Sequence, residues 1–185
     1  MNIPNLITIG RMIIVPIVVW LIFNGNFLTA FWLFLAAGIS DGVDGFIAKQ
    51  FNQETELGAY LDPLADKALL VSIYVALGIR GELPVWLVIL VASRDIFIVA
   101  GVILAWMMDM ALTMQPHMVS KINTTAQIML ATLVLGGLGF ELEILEFRHI
   151  AVVSVAVLTI LSLAVYLVAW LRHMTQYEDD EERSS

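Results

Sequence analysis

Asp41-Gly42-Val43-Asp44-Gly45-Phe46-Ile47-Ala48-Lys49 and, after an eight-residue interval, Gly58-Ala59-Tyr60-Leu61-Asp62-Pro63-Leu64-Ala65-Asp66 set four carboxylates inside two otherwise apolar runs. Those runs extend from about Phe27 to Ala48 and from about Leu57 to Ile79. Stretches so long and apolar are expected to be membrane helices, because hydrocarbon offers no partner to an unsatisfied backbone amide. On helices, the i, i+3 spacing of Asp41 and Asp44 and the i, i+4 spacing of Asp62 and Asp66 put each pair on one face. A carboxylate at membrane depth costs about 3 kcal/mol on insertion scales, so four together need a compensating partner. Two divalent cations would supply one, and an all-oxygen donor set between two facing helices suits magnesium or manganese. Structural ion pairs with Lys49 and Lys67 are the plainer alternative, but two lysines cannot balance four carboxylates.

The rest of the chain has the same character. It is 185 residues long, 60% hydrophobic and 14% charged, and its mean hydropathy of +0.90 lies far outside the range of soluble domains. Four further apolar runs lie near Leu6 to Phe23, Pro84 to Met108, Ile122 to Gly137 and Ile150 to Leu171. The expected fold is therefore an all-α integral membrane protein of about six transmembrane helices, with a carboxylate-lined cavity at the cytoplasmic side. Residues 1–173 would form the membrane domain and 174–185 an acidic, disordered tail. Glu178, Asp179, Asp180, Glu181 and Glu182 supply five of the negatives behind the net charge of −8.

With the N-terminus cytoplasmic, the inside segments carry Arg11, Lys49, Lys121, Arg172 and Arg183, against Arg80 and Arg148 outside. The positive-inside rule favours that orientation, with both termini cytoplasmic. The first residues lack the basic segment of a secretory signal and the Arg-rich character of a transit peptide, so the first apolar run is expected to stay in a bacterial inner membrane. No cysteine is present, which excludes disulfides, thiolate nucleophiles and Cys-ligated zinc. His117, His149 and His173 have no metal-ligand spacing, and no nucleic-acid partner is expected. Trp32, Trp86 and Trp170, near run ends, read as interface anchors.

Gly42, Gly45 and Gly58 frame the aspartates, and each costs up to about 1 kcal/mol in a helix against alanine. Close packing of helices accounts for Gly42; at Gly45 and Gly58 a ligand approaching the backbone is the better reading. Lys49, one turn past Gly45, could hold a phosphate or simply snorkel to the interface. Taken together the positions spell Asp41-x2-Asp44-Gly45-x2-Ala48-Lys49-x8-Gly58-x3-Asp62-x3-Asp66. This closely resembles the signature of the CDP-alcohol phosphotransferases, membrane enzymes that join a CDP-linked lipid or alcohol to a second alcohol and release CMP. The chain departs from it at Lys49, where arginine is usual; lysine keeps the charge but loses the bidentate fork.

The resemblance implies a six-helix fold, usually dimeric, with its site open to the cytoplasmic leaflet. It implies that Asp41, Asp44, Asp62 and Asp66 bind two Mg2+ or Mn2+ ions, and that Asp66 is also the general base. Gly45, Lys49, Thr55 and Gly58 would meet the CDP part of the donor. The opening Pro4-Asn5-x2-Thr8-x2-Arg11 is similar to that of phosphatidyl-transferring members, so Asn5 would line the nucleotide pocket and Arg11 would bind a lipid phosphate. A helix cap and an interfacial anchor are the alternatives. Arg94, in an apolar run, and Lys121, at the start of the fifth, are further acceptor candidates; helix pairing and interfacial anchoring are their plainer readings.

Ser93-Arg94-Asp95 and Ser120-Lys121-Ile122-Asn123-Thr124 look most like the subgroup that makes cardiolipin from CDP-diacylglycerol and phosphatidylglycerol. Phosphatidylglycerophosphate synthases, which use glycerol-3-phosphate, typically have Arg-Glu and Gly-Lys there and are the alternative. A cation-coupled transporter is the alternative from another class, since intramembrane carboxylates also mark ion pathways. Against it, the aspartates lie near one interface and no inverted repeat is visible.

Overall fold

The computed structural model describes the backbone of residues 3–51, 56–107 and 118–184, and side chains within 10–40, 65–101 and 118–168 apart from Asp66. The described residues form six α-helices: α1 (Ile3–Phe23), α2 (Phe27–Phe51), α3 (Glu56–Ile79), α4 (Val85–Met107), α5 (Met118–Gly139) and α6 (Leu145–Ser184). Each coincides with one of the six apolar runs, α4 starting one residue after its run begins and the others extending to or past theirs. The tight turns fall at the polar interruptions: Gly25 and Gly81 take φ of 76° and 77°, a left-handed geometry that glycine adopts without strain. At the first of these turns the Asn24 side chain donates to the Trp20 carbonyl at 2.7 Å.

The helix α6 runs on to Ser184 and includes the acidic segment. No glycine or proline lies between Leu145 and Ser184 to stop it, and glutamate and arginine are good helix formers.

The helices bury a core of Val18 and Ile22 from α1, Ala30 and Phe34 from α2, and Ile73 and Leu77 from α3. Leu87 and Val91 of α4, Leu130 and Val134 of α5, and Val155 of α6 complete it. The outside is apolar as well: Trp20, Trp32, Trp86, Phe97, Met129 and Ile150 are all exposed. Soluble monomers rarely carry such a continuous apolar exterior, whereas lipid-facing helices require one. Among the described residues, Met118–Gly139 and Leu145–Val168 are each long and apolar enough to cross a membrane.

Helix α1 packs against both α2 and α3, α2 also rests on α5, and α4 and α5 both pack on α6. Among the described residues α2 and α3, although consecutive, do not pack directly on each other. A cavity of about 470 Å³ lies between them.

Candidate functional site

Both carboxylate pairs are carried on helical backbone, Asp41 and Asp44 in the C-terminal half of α2, Asp62 and Asp66 in the N-terminal half of α3. The spacings therefore fall on the helices that the pairing argument needs. The side chains of these four aspartates, and of Asn5, Gly45, Lys49 and Gly58, lie outside the described residues, as does Thr55 altogether. Among the described residues there is no group of three or more metal-ligating side chains.

The cavity approaches the aspartates from the bundle side. Among the described residues its α2 wall is Phe34, Leu35, Ala37, Gly38 and Ile39, the last of them two residues before Asp41 in sequence. Among the described residues its α3 wall is Lys67, the residue after Asp66, with Leu69 and Leu70. Arg11 of α1, Asp95 of α4, and Thr124, Gln127, Ile128 and Thr132 of α5 close it. Arg11 is 4% exposed, so its charge is held inside the bundle.

The other two acceptor candidates are placed differently. Arg94 is 2% exposed and is absent from the cavity lining; its guanidinium is engaged inside the bundle. Nη1 donates to Asp95 Oδ1 at 2.6 Å, Nη2 to the hydroxyls of Ser120 and Ser162, and Nε to Ser162 at 3.2 Å. The Tyr166 ring lies 5.8 Å from the guanidinium carbon. Burying an arginine is expensive, and several charge-assisted bonds of about 1.5–3 kcal/mol each offset that cost. Lys121 is exposed on α5, where its carbonyl accepts the Thr125 hydroxyl at 3.0 Å.

Sequence reasoning missed the part played by Lys67 and Asp95. Lys67 stood there only as a possible counter-ion for the aspartate cluster. Instead its Nζ lies 3.2 Å from Asp95 Oδ1, the oxygen that also takes Arg94, while 36% of its side chain stays exposed. The available signal was an ionisable residue in each of two apolar runs, Lys67 and Asp95, with no partner on its own helix face. Ser162, which receives Arg94 from α6, carried no such signal.

Deeper in the bundle a polar seam follows α5. Thr159 donates to Asn123 Oδ1 at 2.9 Å, and the Tyr74 hydroxyl donates to the Gln127 carbonyl at 3.0 Å. The amide nitrogens of Asn123 and Gln127 are buried with no hydrogen-bond partner.

Comparison with known proteins agrees with the motif. Residues 1–170 match the CDP-alcohol phosphatidyltransferase family, and the chain belongs to that family. It is 31% identical over 176 residues to a CDP-diacylglycerol–glycerol-3-phosphate 3-phosphatidyltransferase of Aquifex aeolicus, covering 92% of this chain and 93% of that one. It is 33% identical over 145 residues to human cardiolipin synthase (CMP-forming), covering 70% of this chain and 48% of the relative. A chloroplastic CDP-diacylglycerol–glycerol-3-phosphate 3-phosphatidyltransferase of Oryza sativa is 35% identical over 147 residues, 70% of this chain and 45% of that one. Apart from the bacterial relative, the chain spans about half the length of these curated relatives.

Proposed function

We propose that the chain transfers a phosphatidyl group from CDP-diacylglycerol to phosphatidylglycerol, giving cardiolipin and CMP. The observation that carries the choice of acceptor is the cavity between α2 and α3. Its α2 wall is apolar, its described cations are Arg11 and Lys67, and Lys67 already shares Asp95 with Arg94. A lipid phosphodiester brings one negative charge and its own acyl chains, which suits such a lining. Glycerol-3-phosphate, a soluble dianion, calls for a denser basic cluster open to water.

In the reaction, the acceptor hydroxyl oxygen forms a bond to the phosphorus of the phosphatidyl group. The bond from that phosphorus to the oxygen of CMP breaks, and CMP leaves with the electron pair. Asp66 takes the proton of the hydroxyl as general base. Asp41, Asp44, Asp62 and Asp66 are a hard, all-oxygen donor set that fits two Mg2+ or Mn2+ ions. Held by these residues, such ions would supply positive charge to the diphosphate and the leaving oxygen. Asn5, Gly45, Lys49, Thr55 and Gly58 would hold the CDP part, with the two glycines allowing close approach to the backbone. Arg11 would meet the acceptor phosphate within the cavity, with Arg94 and Lys121 on its flanks.

We place the chain in a bacterial inner membrane as a homodimer with six spans, and the distribution of basic residues supports an orientation with both termini cytoplasmic. The dimer itself rests on the family resemblance. Membership of a transferase family favours this reading over a cation-coupled transporter.

The test is to supply purified protein with CDP-diacylglycerol and either phosphatidylglycerol or glycerol-3-phosphate, and to identify the lipid products by mass. Cardiolipin from the first acceptor supports the proposal. Phosphatidylglycerophosphate from the second, with no cardiolipin from the first, replaces it with the reading that the Aquifex aeolicus relative favours.

A further inference from the structure

We propose that Lys67, held by Asp95 at the wall of the cavity, binds the phosphate of the acceptor together with Arg11. The inference rests on the transferase reading above, but not on which acceptor is used. Three observations carry it.

First, Lys67 lines the cavity with 36% of its side chain exposed, while Arg94, the other cation at Asp95, is 2% exposed and absent from the lining. The ion pair therefore consumes the buried arginine and leaves the ammonium open on one side. An ammonium has three donors, and one bond to Asp95 leaves two for a ligand.

Second, Asp95 fixes where that ammonium stands. Its Oδ1 takes Arg94 at 2.6 Å, and Arg94 is tied to Ser120 of α5 and Ser162 of α6. A long, flexible lysine is thereby anchored through α4 to two other helices, which lowers the entropy lost when a ligand docks.

Third, position along α3 separates Lys67 from the donor's nucleotide. Of the CDP contacts proposed above, Lys49, Thr55 and Gly58 fall at or beside the α2–α3 connection. Lys67 stands eleven residues past Glu56 on α3, a rise of about 16 Å, with Asp62 and Asp66 in between. A cation on the far side of the carboxylates from the nucleotide is placed for the incoming alcohol. Beyond it the cavity continues along Leu69 and Leu70 of α3 and Ile128 of α5, which would take apolar parts of a lipid.

The ligand chemistry is a phosphate ester, and it could come as a lipid phosphodiester or as a free phosphomonoester. The experiment compares wild type, Lys67→Gln and Lys67→Arg, each with phosphatidylglycerol and with glycerol-3-phosphate, titrating acceptor and donor separately. Glutamine keeps a hydrogen bond toward Asp95 without the charge, so the bundle should still assemble; thermal unfolding in detergent checks this. For whichever acceptor the wild type uses, the glutamine variant should raise the acceptor KM by about tenfold or more, as loss of a charge-assisted bond requires. The donor KM should stay within about twofold, and arginine should restore most of the acceptor affinity. An unchanged acceptor KM in the glutamine variant, or an equal rise in donor KM, overturns the assignment. Wild-type protein that turns over glycerol-3-phosphate alone would overturn the choice of phosphatidylglycerol while leaving Lys67 to be judged on its own KM values.

Discussion

Arg94 grips Ser162 twice: Nε and Nη2 donate to the same hydroxyl, at 3.2 and 2.7 Å, and so join α4 to α6 deep in the bundle. With Asp95 and Ser120 as further acceptors, the guanidinium fork is used from three directions.

Lysine at position 94 keeps the charge but cannot present that fork. Arg94→Lys is expected to lose one or two charge-assisted bonds and to destabilise the bundle by about 2 kcal/mol or more. Thermal unfolding in detergent, read beside acceptor titration, checks it. A raised acceptor KM at unchanged melting temperature would instead make Arg94 a direct acceptor contact.

A second stability prediction concerns Gly139 at the end of α5. A Cβ there would stand 2.8 Å from the backbone N and Cα of Leu28, and a backbone cannot swing aside as a side chain can. Gly139→Ala should force α5 away from the start of α2 and cost about 1–3 kcal/mol. An unchanged unfolding midpoint would mean that the helix ends shift freely.

Asp66→Asn tests the proposed general base. The amide has nearly the same volume but cannot accept the hydroxyl proton, so turnover should fall by about 100-fold or more while the protein still inserts and folds. Product formation at the wild-type rate would move the base to another residue.

Removal of divalent cations should abolish activity, and added magnesium or manganese should restore it, because the proposed donor set is four carboxylates without histidine or cysteine. Full turnover in excess chelator would contradict the role given to Asp41, Asp44, Asp62 and Asp66.

Much of this architecture can be read from the chain, and the reasons are physical. Lipid enforces helices on apolar runs, so the six runs and their polar breaks foretold α1 to α6 closely. The carboxylate spacings likewise landed on helical backbone. What could not be read was who meets whom across helices. Lys67 was as consistent with Asp62 or Asp66 as with Asp95, because pairing between helices depends on packing angles that periodicity does not encode. Arg94 drew attention as a charge in an apolar run, but its Ser162 partner lies 68 residues away on α6 and is an ordinary serine.

Because the described parts of α2 and α3 do not pack directly on each other and both line one cavity, whatever occupies that cavity is also a building material. Leu35 and Ile128, which line it, would gain dispersion contacts from a ligand lying there. An acyl chain lying there would act as a borrowed side chain, and the enzyme would be stiffest when loaded. Protein stripped of lipid should therefore melt at a lower temperature than protein resupplied with it, and Leu70→Ala, which widens the void, should increase the gap. A melting temperature indifferent to lipid would mean that the bundle carries its own weight without its substrate.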